Sequence, residues 1–289
     1  MDAFTRPGRA RVGTAGWSKP AWKGHFHPVG LTASRALQFT AARLSTIELN
    51  ATFHGLRSVS DFRGWHEKTP SDFSFSVKGH RAVTFDRREW NREQRLAAFF
   101  ASGVLHLRGK LAAIMWQFDE SHEFDPAFIE EFLTALPRTV ADTRSLLSRR
   151  SASASRDAAA QNAVPDDVRE DALIRYAVEA RHASFGSSAF HELLTRYEVA
   201  AVLNTAPGRP DLDPCTSDFV YLRLHGSAEH FPDGYDDEAL DAWAERIAGW
   251  TDGSGCPDAR PRDVFAYFTN RDGWHPPLDA ERLQGRLRG

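Results

Sequence analysis

Residues 46–50 read Thr-Ile-Glu-Leu-Asn, a short apolar run that ends on a side chain able to bind or react. Seven further runs in the chain end in the same way. The eight closing residues are Trp17, Asn50, Lys78, Gln117, Arg181, Asn204, His225 and Asn270. Side chains of this kind at the carboxyl ends of successive strands, with helical segments between most of them, are typical of the functional face of a (β/α)8 TIM-like barrel.

The segments between these runs favour the same fold. Strand-like and helix-like patterns alternate along the chain, which predicts βαβ units and a parallel sheet. One helix has a clear start, because Asp125 stands as an N-cap before Pro126 and apolar residues follow at helical spacing. The connection at 205–217 holds three prolines and no helical pattern, so we expect no helix between the sixth and seventh strands.

Length and composition indicate one α/β domain over residues 1–289. Within it, residues 138–171 are rich in Ser, Ala, Arg and Asp and show no periodicity, and we interpret them as a mobile insertion with little to bury. A net charge of -3 gives no electrostatic reason to expect nucleic-acid or membrane partners. Without a signal peptide or a membrane-length apolar run, we expect a cytoplasmic protein, and its oligomeric state is left open.

Several strands aim ionisable groups at the barrel axis. Side chains alternate across a strand, so Ile47 and Leu49 suit the helix layer while Glu48 faces inward. The side chains of the third, fifth and seventh strands are divided between the two faces in the same way. The inward ionisable set is Glu48, Lys78, Glu179, Arg181, Arg223 and His225.

Buried charges are costly unless they are paired, so this set must pair with itself, with a ligand or with water. With His225 neutral, three cations face two carboxylates. One interpretation is an internal network of ion pairs that only fills the barrel. We favour an anion-binding pocket, because one cation is left over and Arg and Lys are the usual partners of carboxylate and phosphate groups.

Several motifs also carry a family resemblance. They are Gly-Thr-Ala-Gly-Trp at 13–17, Glu-Leu-Asn-Ala-Thr-Phe at 48–53, Trp65 with Thr69 and Pro70, Phe-Ser-Phe-Ser-Val-Lys at 73–78, Val-Glu-Ala-Arg-His at 178–182 and Tyr-Leu-Arg-Leu-His-Gly at 221–226. Through these motifs, taken in this order, the chain resembles the YecE-like family, known as domain of unknown function 72. The resemblance extends from residue 11 to about residue 283. The resemblance implies a TIM-barrel-type fold and no settled activity.

The site residues are assigned from their positions at strand ends. Candidate catalytic residues are Glu48, Glu179, His182 and His225, and candidate ligand-binding residues are Trp17, Asn50, Lys78, Gln117, Arg181, Asn204, Arg223 and Asn270. No cofactor is expected, because Gly13 and Gly16 lack the third glycine of a dinucleotide fingerprint. Cys215 and Cys256 are far apart in the sequence and form no metal or redox motif.

The leading hypothesis is an enzyme that acts on a small anionic metabolite, bearing phosphate or carboxylate, by acid/base chemistry. Lys78, Arg181 and Arg223 would hold the anion, and His225 and Glu179 would move protons. A second hypothesis is a metal-dependent phosphodiester hydrolase, although the cations near its carboxylates and histidines would oppose a metal ion. A third is a non-enzymatic ligand-binding or scaffold protein, with 138–171 as a docking segment.

Overall fold

The computed structural model describes residues 7–85, 92–153, 163–226, 231, 233–269 and 273–288. Eight parallel strands close into a barrel in which neighbours in the chain pair with each other and the last strand pairs with the first. The strands are β1 Ala10–Ala15, β2 Thr46–Leu49, β3 Ser74–Lys78, β4 Leu111–Phe118, β5 Tyr176–Ala180, β6 Ala200–Asn204, β7 Phe219–Leu224 and β8 Asp263–Phe268. The predicted α/β barrel is confirmed.

Helices surround this barrel. They are α1 Ala33–Ala41, α2 Ala51–His54, α3 Val59–Glu67, α4 Arg92–Ala101, α5 Pro126–Ala135, α6 Val140–Ser153, α7 Ser188–Arg196, α8 Asp237–Asp252 and α9 His275–Arg286, with 3-10 helices at Pro20–Trp22, Arg81–Val83, Val104–Lys110 and Ala183–Phe185. The Asp125 carboxylate caps α5 as predicted, accepting from the backbone N–H of Ala127 at 3.1 Å. In the described part of the chain, no helix is long and apolar enough to cross a membrane.

The strand side chains divide between two faces as the alternation predicts. Ile47 and Leu49 pack outward into the apolar core shared with the helices. Inside the barrel, the Tyr267 hydroxyl lies 3.0 Å from Thr46 Oγ1 and 2.6 Å from Ser76 Oγ. Packed side chains therefore fill the interior at this level, and the ionisable groups lie one pleat further toward the carboxyl ends of the strands.

The connection from β6 to β7 contains no helix, as predicted, and all of its residues, 205–218, are described. It is fixed to the sheet by Thr216, whose Oγ1 accepts from the backbone N–H of Ala201 at 2.8 Å. The same connection brings the Sγ of Cys215 to 3.4 Å from the Sγ of Cys256, and both thiols are buried. Two cysteines that are far apart in sequence are therefore neighbours in the fold.

The interpretation of residues 138–171 as an insertion with little burial is wrong for the residues that the structure describes. Helix α6 occupies much of this segment and packs against α4. Val140, Leu146 and Leu147 are buried in the main core, and so is Val164 further along the segment. The apolar residues are few, but they recur at helical spacing on one side, so the composition concealed an amphipathic helix.

Truncation of a buried side chain on α6 tests its contribution to the core. We expect Leu147→Ala to lower the free energy of unfolding by about 2–4 kcal/mol, because it leaves a cavity where a leucine packs. The matched control is Ser148→Ala, which changes an exposed residue on the same helix and costs less than about 0.5 kcal/mol. Urea unfolding measures both variants, and equal losses would show that α6 does not pack on the barrel.

Candidate functional site

The centre of the charged cluster is the guanidinium of Arg223, on β7. Its Nη2 donates to Glu48 Oε1 on β2 at 3.0 Å, and its Nη1 donates to Glu179 Oε2 on β5. All three side chains are buried. Because one arginine binds two carboxylates from different strands, it links three parts of the barrel wall with charge-assisted hydrogen bonds.

Glu179 receives two further donors. Arg181 Nε donates to its Oε1 at 2.7 Å, and Asn204 Nδ2 donates to the same oxygen at 3.1 Å. Burial by itself would raise the pKa of this carboxyl, but the positive charges of Arg223 and Arg181 outweigh it and lower the pKa to about 2. Glu179 is therefore ionised at neutral pH.

Glu48 has a different second partner. The buried hydroxyl of Tyr221 donates to Glu48 Oε2 at 2.8 Å, from the residue two places before Arg223 on β7. Burial and the adjacent Glu48 carboxylate raise the pKa of Tyr221 well above its ordinary value, so this hydroxyl keeps its proton. Both oxygens of Glu48 thus have a donor.

Lys78, at the end of β3, has no such counter-charge. Its Nζ donates to Gln117 Oε1 at 2.6 Å and lies 4.0 Å from the centre of the Phe53 ring. Among the described residues, no carboxylate lies within ion-pair distance of this ammonium. Burial, together with the positive charge of Arg223, lowers the pKa of Lys78 to about 8.

His225 follows β7 directly and is largely buried. Burial and the Arg223 guanidinium lower the pKa of its imidazole to about 4, so the ring is neutral near pH 7. Its Nδ1 is buried and has no hydrogen-bond partner in the described part of the chain. The Nε of Arg223 is also buried and without a hydrogen-bond partner among the described atoms. Two enclosed polar atoms of the cluster therefore lack a hydrogen-bond partner among the described residues.

The remaining predicted residues surround this cluster or lie apart from it. Trp17 packs edge-on against Trp65, with ring centres 5.7 Å apart. Asn50 precedes α2, and its Oδ1 is buried without a partner among the described atoms. His182 instead caps the 3-10 helix that follows β5, accepting from the Ser184 backbone N–H at 3.2 Å. The remaining predicted residue, Asn270, falls outside the described residues.

Helix α2 supplies an aromatic side chain that strand-end reasoning missed. Thr52 Oγ1 donates to the backbone carbonyl of Lys78 at 2.6 Å, which holds α2 against the end of β3. Phe53 is thereby placed over the Lys78 ammonium as a cation–π partner. The motif at 48–53 contains this phenylalanine, but only the fold shows which charge it covers.

The donor set of the cluster suits anions better than cations. With His225 neutral, its charges are those of Lys78, Arg181 and Arg223 against two carboxylates. In the residues that the structure describes, no group of three or more His, Cys, Asp or Glu side chains is arranged to hold a metal ion. A guanidinium lies between the two carboxylates, where a divalent cation would be repelled.

The sequence from residue 11 to residue 289 matches the model of a family described as protein of unknown function DUF72. This chain belongs to the DUF72 family. The resemblance found from its motifs is therefore confirmed. The family description gives no activity, so membership does not indicate a reaction. A function has to be argued from the geometry of the site.

Solved structures of DUF72 proteins share the fold. The DUF72 protein TM1631 of Thermotoga maritima is 22% identical, with a TM-score of 0.67 over 97% of this chain and 100% of that one. EF0366 of Enterococcus faecalis is 16% identical, with a TM-score of 0.66 over 98% of each chain. Among curated proteins, UPF0759 protein YunF of Bacillus subtilis is 26% identical over 112 residues, which are 37% of this chain and 39% of YunF.

Removal of the central guanidinium tests the network. We expect Arg223→Met to lower the free energy of unfolding by about 3–5 kcal/mol, because it leaves the buried Glu48 without a cation and Glu179 with Arg181 alone. Arg223→Lys keeps the charge but loses the forked hydrogen bonding, so it should cost less. Urea unfolding near pH 7 compares the two, and a Met variant no less stable than the Lys variant would contradict the network.

The lowered pKa of Lys78 predicts a dependence of stability on pH. Between about pH 8 and about pH 10.4 the unfolded chain binds more protons at this lysine than the folded protein, so its contribution to stability rises with pH. Below about pH 8 the full penalty of the buried charge is present. We therefore expect wild type to gain stability relative to Lys78→Met as pH rises, by up to about 1.4 kcal/mol per unit.

Urea unfolding at several pH values across this window measures the difference between the two proteins. The matched control is Lys68→Met, which changes an exposed lysine at the end of α3, and whose difference from wild type should stay level. A flat difference for Lys78→Met as well would show that the Lys78 ammonium is not desolvated.

Proposed function

We propose that this DUF72 protein binds a small anionic metabolite at the carboxyl end of the barrel and acts on it by acid/base chemistry. The observation that carries the proposal is the buried Lys78 ammonium, which is hydrogen-bonded to the amide of Gln117 and to no described carboxylate. A bound carboxylate or phosphate would supply the missing counter-charge. Such charge-assisted contacts are among the strongest that a protein makes with a ligand.

Lys78 and Arg181 are the cations best placed to contact the anion. The Nη1 and Nη2 groups of Arg223 are taken by carboxylates, which leaves its Nε as the free donor. Arg181 is bound to Glu179 through Nε, and its side chain remains partly exposed to solvent. We therefore assign anion binding to Lys78 and Arg181, and the positioning of the site to Arg223.

Two groups suit proton transfer in the site. The imidazole of His225 is neutral near pH 7 and its Nδ1 has no described partner, so it can take up a proton transiently, as a weak base with a pKa of about 4. The amine of Lys78, with a pKa of about 8, can gain or lose one near the working pH. Glu179, to which the sequence hypothesis also assigned proton transfer, is a weaker candidate than His225 for this role. Three donors hold its carboxylate in the ionised form.

An internal ion-pair network without a ligand is the competing explanation. It accounts for Arg223 and Arg181 with their two carboxylates, because two positive charges balance two negative ones. It gives no reason for an uncompensated ammonium beside them, because a neutral side chain at position 78 would pack at lower cost. A purely structural network would thus be more stable without Lys78, whereas an anion site needs it.

Thermal unfolding in the presence of a panel of phosphate-bearing and carboxylate-bearing metabolites tests the proposal. We expect at least one of these compounds to raise the Tm of wild type by several degrees, since a ligand that binds only the folded state stabilises it. Lys78→Met should lose this shift, because it removes the unmatched cation. Lys68→Met, the same replacement at the exposed lysine on α3, should keep it.

Two results would overturn the anion site. One is a panel in which no compound stabilises wild type. The other is a compound that stabilises Lys78→Met as strongly as wild type, which would place its binding elsewhere on the protein.

A further inference from the structure

We infer that the anionic metabolite carries a ketone or aldehyde group, and that the side-chain amine of Lys78 condenses with it to form an imine. The inference rests on the proposed anion site and names the class of substrate for it: an anion with a carbonyl group, such as a 2-oxo acid or a sugar phosphate. Lys78 is the nucleophile in this scheme. Arg181 would hold the carboxylate or phosphate group of the same molecule.

The surroundings of Lys78 favour a neutral amine. A buried ammonium without an anionic partner is destabilised, and loss of its proton relieves that cost. Lys78 has one amide acceptor, an aromatic ring at 4.0 Å and the positive charge of Arg223 nearby. The Glu179 and Glu48 carboxylates lie beyond ion-pair distance, and their attraction is weaker than the combined effect of burial and Arg223. A lysine that is desolvated beside another cation is an activated nucleophile, because a larger share of its amine is unprotonated near pH 8 than in an exposed lysine.

A second buried lysine shows what a structural role requires. Lys110 donates to the carbonyl oxygens of His66 at 2.6 Å and Thr69 at 2.8 Å, and to Thr69 Oγ1 at 3.1 Å. These three acceptors match the three protons of an ammonium group. Lys78 has one described hydrogen-bond acceptor, Gln117, so its environment holds the charged form poorly.

The backbone that carries this amine is held firmly. Thr52 Oγ1 donates to the Lys78 carbonyl, as described above, and fixes the end of β3. The next residue is Gly79, where a Cβ would lie 2.1 Å from the ring of Trp116, so the chain passes directly against that indole. A reacting group on a rigid strand end loses little freedom on binding its substrate, which favours attack.

The reaction balances with the groups at hand. The lone pair of the neutral amine attacks the carbonyl carbon, forming a C–N bond, and the carbonyl oxygen takes the electrons of its π bond. A proton moves from nitrogen to that oxygen, and the neutral imidazole of His225 is the base available in the cluster to carry it. The hydroxyl group then leaves with the second N–H proton as water, and the C=N bond forms. Amine and carbonyl give imine and water, with no oxidant or reductant.

The composition of the chain makes Lys78 distinctive. The sequence has 36 basic residues, of which five are lysines: Lys19, Lys23, Lys68, Lys78 and Lys110. Arginine is the common choice in this protein, and it would bind an anion at least as well. It cannot form an imine at working pH, because the guanidinium does not lose its proton. A lysine at this position therefore fits nucleophilic chemistry better than simple charge pairing.

Reductive trapping on the full chain tests the inference. The protein is incubated near pH 8 with pyruvate, 2-oxoglutarate, glyceraldehyde 3-phosphate or dihydroxyacetone phosphate, and sodium cyanoborohydride is added to reduce any imine. We expect intact-mass spectrometry to show one adduct, equal to the probe minus one oxygen atom, and peptide mapping to place it on Lys78. Lys110→Arg should keep the adduct, and Lys78→Arg and Lys78→Met should lose it.

Thermal unfolding with the same probes, and with carbonyl-free analogues such as lactate and glycerol 3-phosphate, separates the two proposals. Anions that raise the Tm of wild type without an adduct on Lys78 from any probe would overturn the imine and leave the anion site standing. No stabilisation and no adduct would overturn both. An adduct that maps to another lysine, or that persists in Lys78→Arg at the wild-type level, would also overturn the imine.

Discussion

The Arg223 guanidinium, bound to Glu48 and Glu179 at once, is the contact on which the site depends. Without it Glu48 would be a buried carboxylate with no ion-pair partner among the described residues, and Glu179 would keep only Arg181. It also joins β2, β5 and β7 across the barrel. Because Arg223 and Arg181 together balance the two carboxylates, the neighbouring Lys78 ammonium is left without a direct ion-pair partner among the described residues. The proposed chemistry follows from that imbalance.

Much of the fold follows from the alternation of side chains along the strands. In residues 46–50 the apolar side chains lie on one face of the strand and Glu48 lies on the other. Because side chains alternate along a strand, placing the apolar set against the helices turns Glu48 toward the barrel axis. The same period placed Arg223 inward on β7. The prolines of 205–217 predicted the missing helix for an equally local reason, since they cannot continue a hydrogen-bonded helix. Local geometry sufficed for all of these features.

Other features depend on contacts that a sequence does not encode locally. Helix α6 was missed because serine and arginine dominate its composition, and its apolar residues became visible as one stripe only when packed against α4. His182 follows a strand as His225 does, yet it caps a 3-10 helix. The sequence also could not predict which carboxylates Arg223 binds, because several inward charges were available and only the folded barrel fixes their distances. Which of the cations lacks a counter-ion was therefore visible only in three dimensions.

Two buried tyrosines beside the charged cluster provide a spectroscopic probe of the site. Tyr221 and Tyr267 are two of five tyrosines in the chain, and both rings are enclosed by the strands. The Tyr221 phenol ends on a Glu48 oxygen, so any change in the charge above it alters the strength of that hydrogen bond. Phenol absorption and ring vibrations respond to such changes. Binding of the proposed anion should therefore change the difference spectrum of the native protein, without a label or a turnover assay.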